Sequence, residues 1–189
     1  GPDIARQDRS HVHCILPDPN NQYVWVADLG IDKIVCYRID LKLGLLIAEP
    51  ARDIISDSGS GPRHLIFHPS GKFLYVIHEL NSSISVYSYR NGEATKLQSV
   101  STLPIGCSKI SYCSGIHVSP NGKFLYGANR GHDSLAIFAI DEKTGQLTFI
   151  NHQATKGKTP RDFCIDPTGA FLLVANQDSD TLITFRIDQ

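Results

Sequence analysis

Apolar residues along this chain come in short runs, and the runs recur in a fixed order. HCILPDPNNQYVWVADL from His13, RHLIFHPSGKFLYVIHEL from Arg63, SGIHVSPNGKFLYGANR from Ser114 and RDFCIDPTGAFLLVANQ from Arg161 share one anatomy. A short apolar run leads to Pro-x-Gly or Pro-x-Asn, which is turn chemistry. An aromatic and β-branched run follows: YVWVA, FLYVI, FLYGA, FLLVA. A polar break (LGIDK, LNSS, RGHDS, QDSDT) separates it from a third alternating run: IVCYRID, ISVYSYR, LAIFAID, LITFRID. Gly or Asn-Gly then turns into a fourth run such as KLQSVST or QLTFINH. The runs have the length and residue types of strands, and no longer segment carries an apolar period of 3.6, so almost no helix is expected.

The shared prolines are Pro19, Pro69, Pro120 and Pro167, at spacings of 50, 51 and 47 residues. Units of ~40–50 residues holding three or four short strands are the signature of propeller blades. The expected fold is therefore an all-β β-propeller of four-stranded antiparallel blades. About four blades are present, over 13–60, 61–113, 114–158 and 159–189, the last cut after its third strand. Residues 1–12 are expected as a connecting loop. A propeller must close or leave sheet faces and edges in water. The expectation is thus about half a ring, with the missing blades upstream or supplied by a second chain. A start at Gly1-Pro2 and the lack of any Met agree with a piece of a longer chain.

The repeat also places polar residues. Six positions before each turn proline stand His13, Arg63, Ser114 and Arg161, and ten after it stand Leu29, Glu79, Arg130 and Gln177. In a hairpin whose turn is at the proline, both positions lie at the end away from the turn, ~20 Å along the strands at the usual rise per residue. All blades point the same way, so these residues are expected around one mouth of a central channel. His11, His64, Asn129 and Asp162 flank them. Solvated loop residues give the plain alternative, since loops between strands are polar in any propeller.

Composition narrows the chemistry. Hydrophobic residues make up 41%, charged residues 20%, and the net charge is −1. That is ordinary globular composition, and it gives no reason to expect a nucleic-acid or membrane partner. No apolar run approaches the ~18 residues of a membrane span. The five cysteines, Cys14, Cys36, Cys107, Cys113 and Cys164, form no C-x-x-C pair and read as free thiols of a reducing, cytoplasmic setting. Asn176-x-Asp178-x-Asp180 lacks the Gly and Glu of a calcium loop, where Thr181 and Ile187 stand. His11-x-His13 has no third ligand at zinc spacing, and neither a metal nor a cofactor is expected. Gly59-Ser60-Gly61-Pro62 reads as an interblade turn whose amides offer a second reading as anion holders. His68, His78, His117 and His152 carry no partner pattern.

RQDRSHVH, GSGPRHLIFHPSGKFLYVIHEL, HVSPNGKFLYGANRGHDSLAIF and PRDFCIDPTGAFLLVANQDSDTLITF resemble the lactonase family of seven-bladed propellers, which includes bacterial 6-phosphogluconolactonases and is similar to fungal carboxymuconate cyclases. The resemblance covers essentially the whole chain and corresponds to the C-terminal half of a family member. It implies a site of His13, Arg63, Glu79 and Arg130 as catalytic residues, with Arg161, His11 and Gln177 binding substrate; His64 and Asn129, which flank the rim positions, are expected to bind substrate with them. The implied activity is hydrolysis of 6-phosphoglucono-δ-lactone, a phosphorylated sugar lactone, in the pentose phosphate pathway.

Such a reaction needs an activated water, a stabilised oxyanion and a proton for the leaving alkoxide. Arg63 and Arg130 suit the oxyanion, Arg161 the phosphate, His13 the base, and Glu79 a group that orients His13 or shares its proton. Two rival readings stay open. One is another lactone, or a muconate-type cycloisomerisation. The other is a propeller that only binds partners.

Overall fold

The structure is a computed structural model and describes residues 1–188. Its strands form four antiparallel sheets, one per repeat. The first holds β1 (Val12–Pro17), β2 (Tyr23–Asp28), β3 (Lys33–Asp40) and β4 (Leu45–Ala48), with the short β5 (Ile54–Ile55) also paired to β3. The second holds β6 (Pro62–Phe67), β7 (Phe73–His78), β8 (Ser83–Arg90) and β9 (Glu93–Ser101). The third holds β10 (Tyr112–Val118), β11 (Phe124–Arg130), β12 (Ser134–Ile140) and β13 (Leu147–Ala154). The fourth has three strands, β14 (Pro160–Ile165), β15 (Phe171–Asn176) and β16 (Thr181–Arg186). Among the described residues, helix is limited to two single turns of 3₁₀ type, Pro50–Arg52 and Gln177–Ser179.

The first turn of each repeat needs a left-handed residue two places after its proline, and Asn21, Gly71, Gly122 and Gly169 fill that place with φ of 54°, 70°, 74° and 73°. A second left-handed position closes the next hairpin, at Asp32, Ser82, Asp133 and Asp180. Asp and Asn tolerate this conformation better than other non-glycine residues.

The continuous apolar runs are explained by burial on both faces. Along β7, Phe73, Tyr75 and Ile77 pack with Ile116, Leu125 and Phe138 of the third sheet. The alternate residues Leu74 and Val76 pack with Trp25, Ala27 and Ile34 of the first. Tyr126, Ala128 and Leu135 of the third sheet meet Phe163, Leu172 and Val174 of the fourth. A strand between two sheets has no wet face, so it reads as an unbroken apolar run rather than an alternating one. Each core thus lies between sheets. At the two ends this covering stops: Val12 and Ile15 of the first sheet and Phe171 and Leu182 of the fourth are exposed. The first strands of successive sheets are neighbours, β1 beside β6, β6 beside β10 and β10 beside β14, and this side-by-side row carries the polar residues described next.

Candidate active site

Every first strand opens on the same irregularity. Val12 and Cys14 pair with Asp28 and Ala27, leaving His13 with no partner. Arg63 is skipped between Pro62 and His64, and Arg161 between Pro160 and Asp162. In the third sheet the slip falls between Cys113 and Ile116, at Ser114-Gly115. Such a β-bulge adds one residue and re-aims its side chain. The four positions found by counting back from the prolines are therefore bulge positions.

Glu79, just past β7, is the centre of the site. Its backbone is pinned on both sides: its N–H donates to Gly61 O at 2.7 Å, and its carbonyl accepts from Cys113 N at 3.2 Å. Its side chain is 1% exposed and meets three arginines. Arg6 Nη2 donates to Oε1. Arg63 Nε and Arg130 Nη2 each lie 2.8 Å from Oε2. Arg63 Nε makes an ion pair there but is off the line of a hydrogen bond. Arg130 is anchored a second time, by Nη2 to Cys113 O at 2.9 Å and Nε to Tyr112 O at 3.3 Å.

Burial alone pushes the Glu79 carboxyl up, but Arg130, Arg6 and Arg63 outweigh it and hold the group below its ordinary value. Glu79 is thus a permanent anion at neutral pH. This differs from the expectation that Glu79 serves His13. Both carboxylate oxygens are taken by guanidinium groups, which carry full charge and offer more donors than an imidazole.

His13 is exposed at its bulge, with no hydrogen-bond partner among the described residues. Partial desolvation and the Arg63 charge lower its pKa, against the pull of Glu79. Its ring is therefore neutral at pH 7 and able to accept a proton. Arg161 is exposed and unpaired among the described residues, and its charge reaches His13, Arg63 and Arg130.

His64 Nε2 lies 3.0 Å from Arg63 Nη1. Arginine only donates, so Nε2 accepts and the ring proton sits on Nδ1. Burial and Arg63 push His64 down to about 4, which keeps it neutral.

Three expected site residues are engaged by other partners. Asn129 is fully buried, its amide hydrogen-bonded to Thr102 O at 2.9 Å and Ser134 Oγ at 3.3 Å, and its oxygen taken by Thr102 Oγ1 at 2.7 Å. It locks one sheet to the next and does not face the arginines. Gln177 turns its amide to Asp178 at 3.2 Å, and His11 is paired with Asp8 at 2.6 Å. The amides of Gly59 and Gly61 donate at 2.8 Å to the carboxylate of Asp32, so they are committed to a turn rather than free for an anion.

Sequence reasoning missed two features. Arg6 lies before the repeat begins, so no repeat position marks it; its trace is that it opens the polar, basic stretch RQDRSHVH. His117 comes within 3.8 Å of Asp162 Oδ1 and stacks edge-on to Phe163 at 4.7 Å. Contact with His117, aided by the Phe163 N–H, holds Asp162 below its ordinary value.

Three arginines thus gather around one glutamate in a chain of net charge −1, with the charge of a fourth, Arg161, felt nearby, beside an unpaired neutral histidine. The arrangement can hold an anion and accept a proton at one place.

Known proteins agree with this architecture. The chain is 40% identical over 163 residues to the 6-phosphogluconolactonase of Bacillus subtilis, covering 85% of this chain and 46% of that protein. It is 41% identical over 166 residues to the 6-phosphogluconolactonase of Formosa agariphila, covering 86% and 46%. The structure of the periplasmic gluconolactonase of Pseudomonas aeruginosa superposes with a TM-score of 0.93 at 38% identity, over 96% of this chain and 51% of that one. The chain therefore spans about half the length of the relatives it matches. The family description Lactonase, 7-bladed beta-propeller, matches residues 1–189, and with its ~49-residue repeat and side-by-side sheets the chain belongs to that family.

Proposed function

We propose that this protein hydrolyses a sugar lactone, with 6-phosphoglucono-δ-lactone as substrate. The observation that carries the proposal is the burial of Glu79 among Arg6, Arg63 and Arg130 next to His13. His13, neutral at pH 7, takes a proton from water as the oxygen attacks the lactone carbonyl carbon. The carbonyl π electrons move onto oxygen, and Arg63 and Arg130 stabilise that oxyanion with charges already in place. As the tetrahedral intermediate collapses, the ring C–O bond breaks and the departing alkoxide takes the proton back from His13. Glu79 keeps the arginines from repelling one another before substrate arrives. Arg161, with no carboxylate of its own, receives the phosphate.

The names of the Bacillus and Formosa relatives support this choice of substrate. Closure of the ring by further blades against the exposed faces of the first and fourth sheets belongs to the same proposal. So does a cytoplasmic setting, which the five free thiols suit.

The test is turnover of 6-phosphoglucono-δ-lactone, unphosphorylated glucono-δ-lactone and a muconate by the chain and by His13→Gln. The expected result is phosphorylated lactone preferred, with kcat lowered ~10²-fold or more by His13→Gln, the usual contribution of a general base. Equal turnover by the variant overturns the role of His13. Turnover of the muconate alone overturns the hydrolase reading.

A further inference from the structure

Arg6 differs from the other arginines on Glu79 in three respects. It comes from the stretch before β1 and not from a blade, so nothing in the repeat fixes it. Its side chain is 38% exposed, against 6% for Arg63 and 13% for Arg130. Its guanidinium also lies over the ring of Tyr112, 5.5 Å from the centroid, a second resting place that does not depend on the carboxylate.

The stretch that carries Arg6 is tied down directly after it. Gln7 Nε2 donates to Leu29 O at 2.8 Å. Further on, His11 N donates to Asp28 Oδ1 at 2.7 Å. The strap is therefore held while the Arg6 tip remains open to water.

We propose that Arg6 is an exchangeable anion clamp, which leaves Glu79 for the phosphate of the bound molecule and so sets the preference for phosphorylated over unphosphorylated ligands. The proposal rests on the lactonase reading only for the identity of the molecule that carries the phosphate. Arg63 and Arg130 cannot make this exchange, because each is almost wholly buried against Oε2 of the same carboxylate. The exchange costs little, because one charge-assisted pair replaces another and Glu79 keeps two arginines. Tyr112 keeps the guanidinium at the rim during the move. The groups facing Glu79 are Arg6 from the strap, Arg63 from the second sheet and Arg130 from the third, with His13 and Arg161 felt through space by the same arginines. Loss of Arg6 from its oxygen weakens the pull that keeps Glu79 ionised, so phosphate binding should raise the Glu79 pKa.

Inorganic phosphate is the probe, titrated into the chain, Arg6→Gln and Arg6→Lys. Heat is read by calorimetry, and the Glu79 carboxyl by ¹³C NMR. The expected result is phosphate binding weakened about tenfold in Arg6→Gln and within about threefold of the native value in Arg6→Lys, as a charge-assisted contact implies. The Glu79 carboxyl signal should shift on phosphate addition in the native chain and already be shifted in Arg6→Gln. Equal phosphate affinity in Arg6→Gln, no phosphate binding at all, or a Glu79 signal indifferent to phosphate overturns the clamp. The two readings fail separately. A chain that shows the exchange but turns over no lactone loses the hydrolase reading and keeps the clamp, whereas turnover with no exchange does the reverse.

Discussion

Replacing Glu79 by Gln tests the centre of the site most directly. The change keeps the shape of the side chain and removes its charge. The cost then falls on the cations left behind, in proportion to how little water reaches them. Arg6 is 38% exposed and can turn outward, so it contributes least. Arg130 keeps its bonds to Tyr112 O and Cys113 O. Arg63, 6% exposed, keeps only His64 Nε2 at 3.0 Å and carries most of the penalty.

Breaking a buried ion pair by removing one partner costs about 3–5 kcal/mol. For a chain of this size that is a fall in Tm of roughly 6–20 °C. Urea unfolding and calorimetry at pH 7 read it. Adding Arg63→Met to Glu79→Gln should recover part of the loss, since it removes the stranded charge.

The pH dependence has a definite sign. Glu79 sits below its ordinary value when folded. Its contribution is therefore complete above the unfolded carboxyl value of about 4.3 and is lost as pH falls through the lowered folded value. The stability gap between native chain and variant should be widest at neutral pH and close in acid. A variant within 2 °C of the native Tm at pH 7, a change too small for the loss of a buried pair, refutes the reasoning.

Further outcomes follow from single sites. His64 and His78 are both pushed down to about 4, His64 by burial and Arg63 and His78 by burial. Because their folded values lie below the unfolded value near 6.5, the unfolded chain takes up their protons first, and stability should decline as pH falls from about 6.5 toward 4. NMR of the ring nitrogens should find both neutral at pH 6, and a protonated signal there contradicts the assignment. At Gly30 a Cβ would stand 1.7 Å from the carbonyl oxygen of Arg9, so Gly30→Ala must push the strap aside. A loss of about 1–3 kcal/mol is expected, the usual range for overpacking, together with phosphate affinity as weak as that of Arg6→Gln; native affinity would show that the strap does not place Arg6. The thiols of Cys36 and Cys113 are raised by burial to about 12, whereas Cys164 is exposed. A thiol-disulfide reagent at pH 8 should therefore label Cys164 and spare Cys36 and Cys113 until urea is added, and rapid labelling of Cys113 would disprove its burial.

What the sequence determined by itself is the blade. Turn prolines and left-handed residues are local requirements, and they recur at Asn21, Gly71, Gly122 and Gly169 in phase with the apolar runs. Runs such as FLYVI carry the two-faced burial of β7 in their composition, because a strand covered on both sides has no polar positions to show. The repeat phase also selected His13, Arg63, Glu79 and Arg130, since residues at one phase occupy one height in successive sheets.

The tertiary structure alone decided which of these touch, and how. That Glu79 belongs to arginines and not to His13 depends on bulges at His13 and Arg63 that change where side chains aim, and one sequence does not distinguish a bulge from a regular pair. Asn129 stands one place before the rim position of Arg130, yet Thr102, from the connection between sheets, takes its hydrogen bonds. Arg6 reaches Glu79 from 73 residues away along a stretch with no periodicity, because that stretch is fastened to Leu29 and Asp28. Periodicity reports what neighbours in the chain require of one another, whereas a contact between a strap and a distant sheet is set by the folded surfaces.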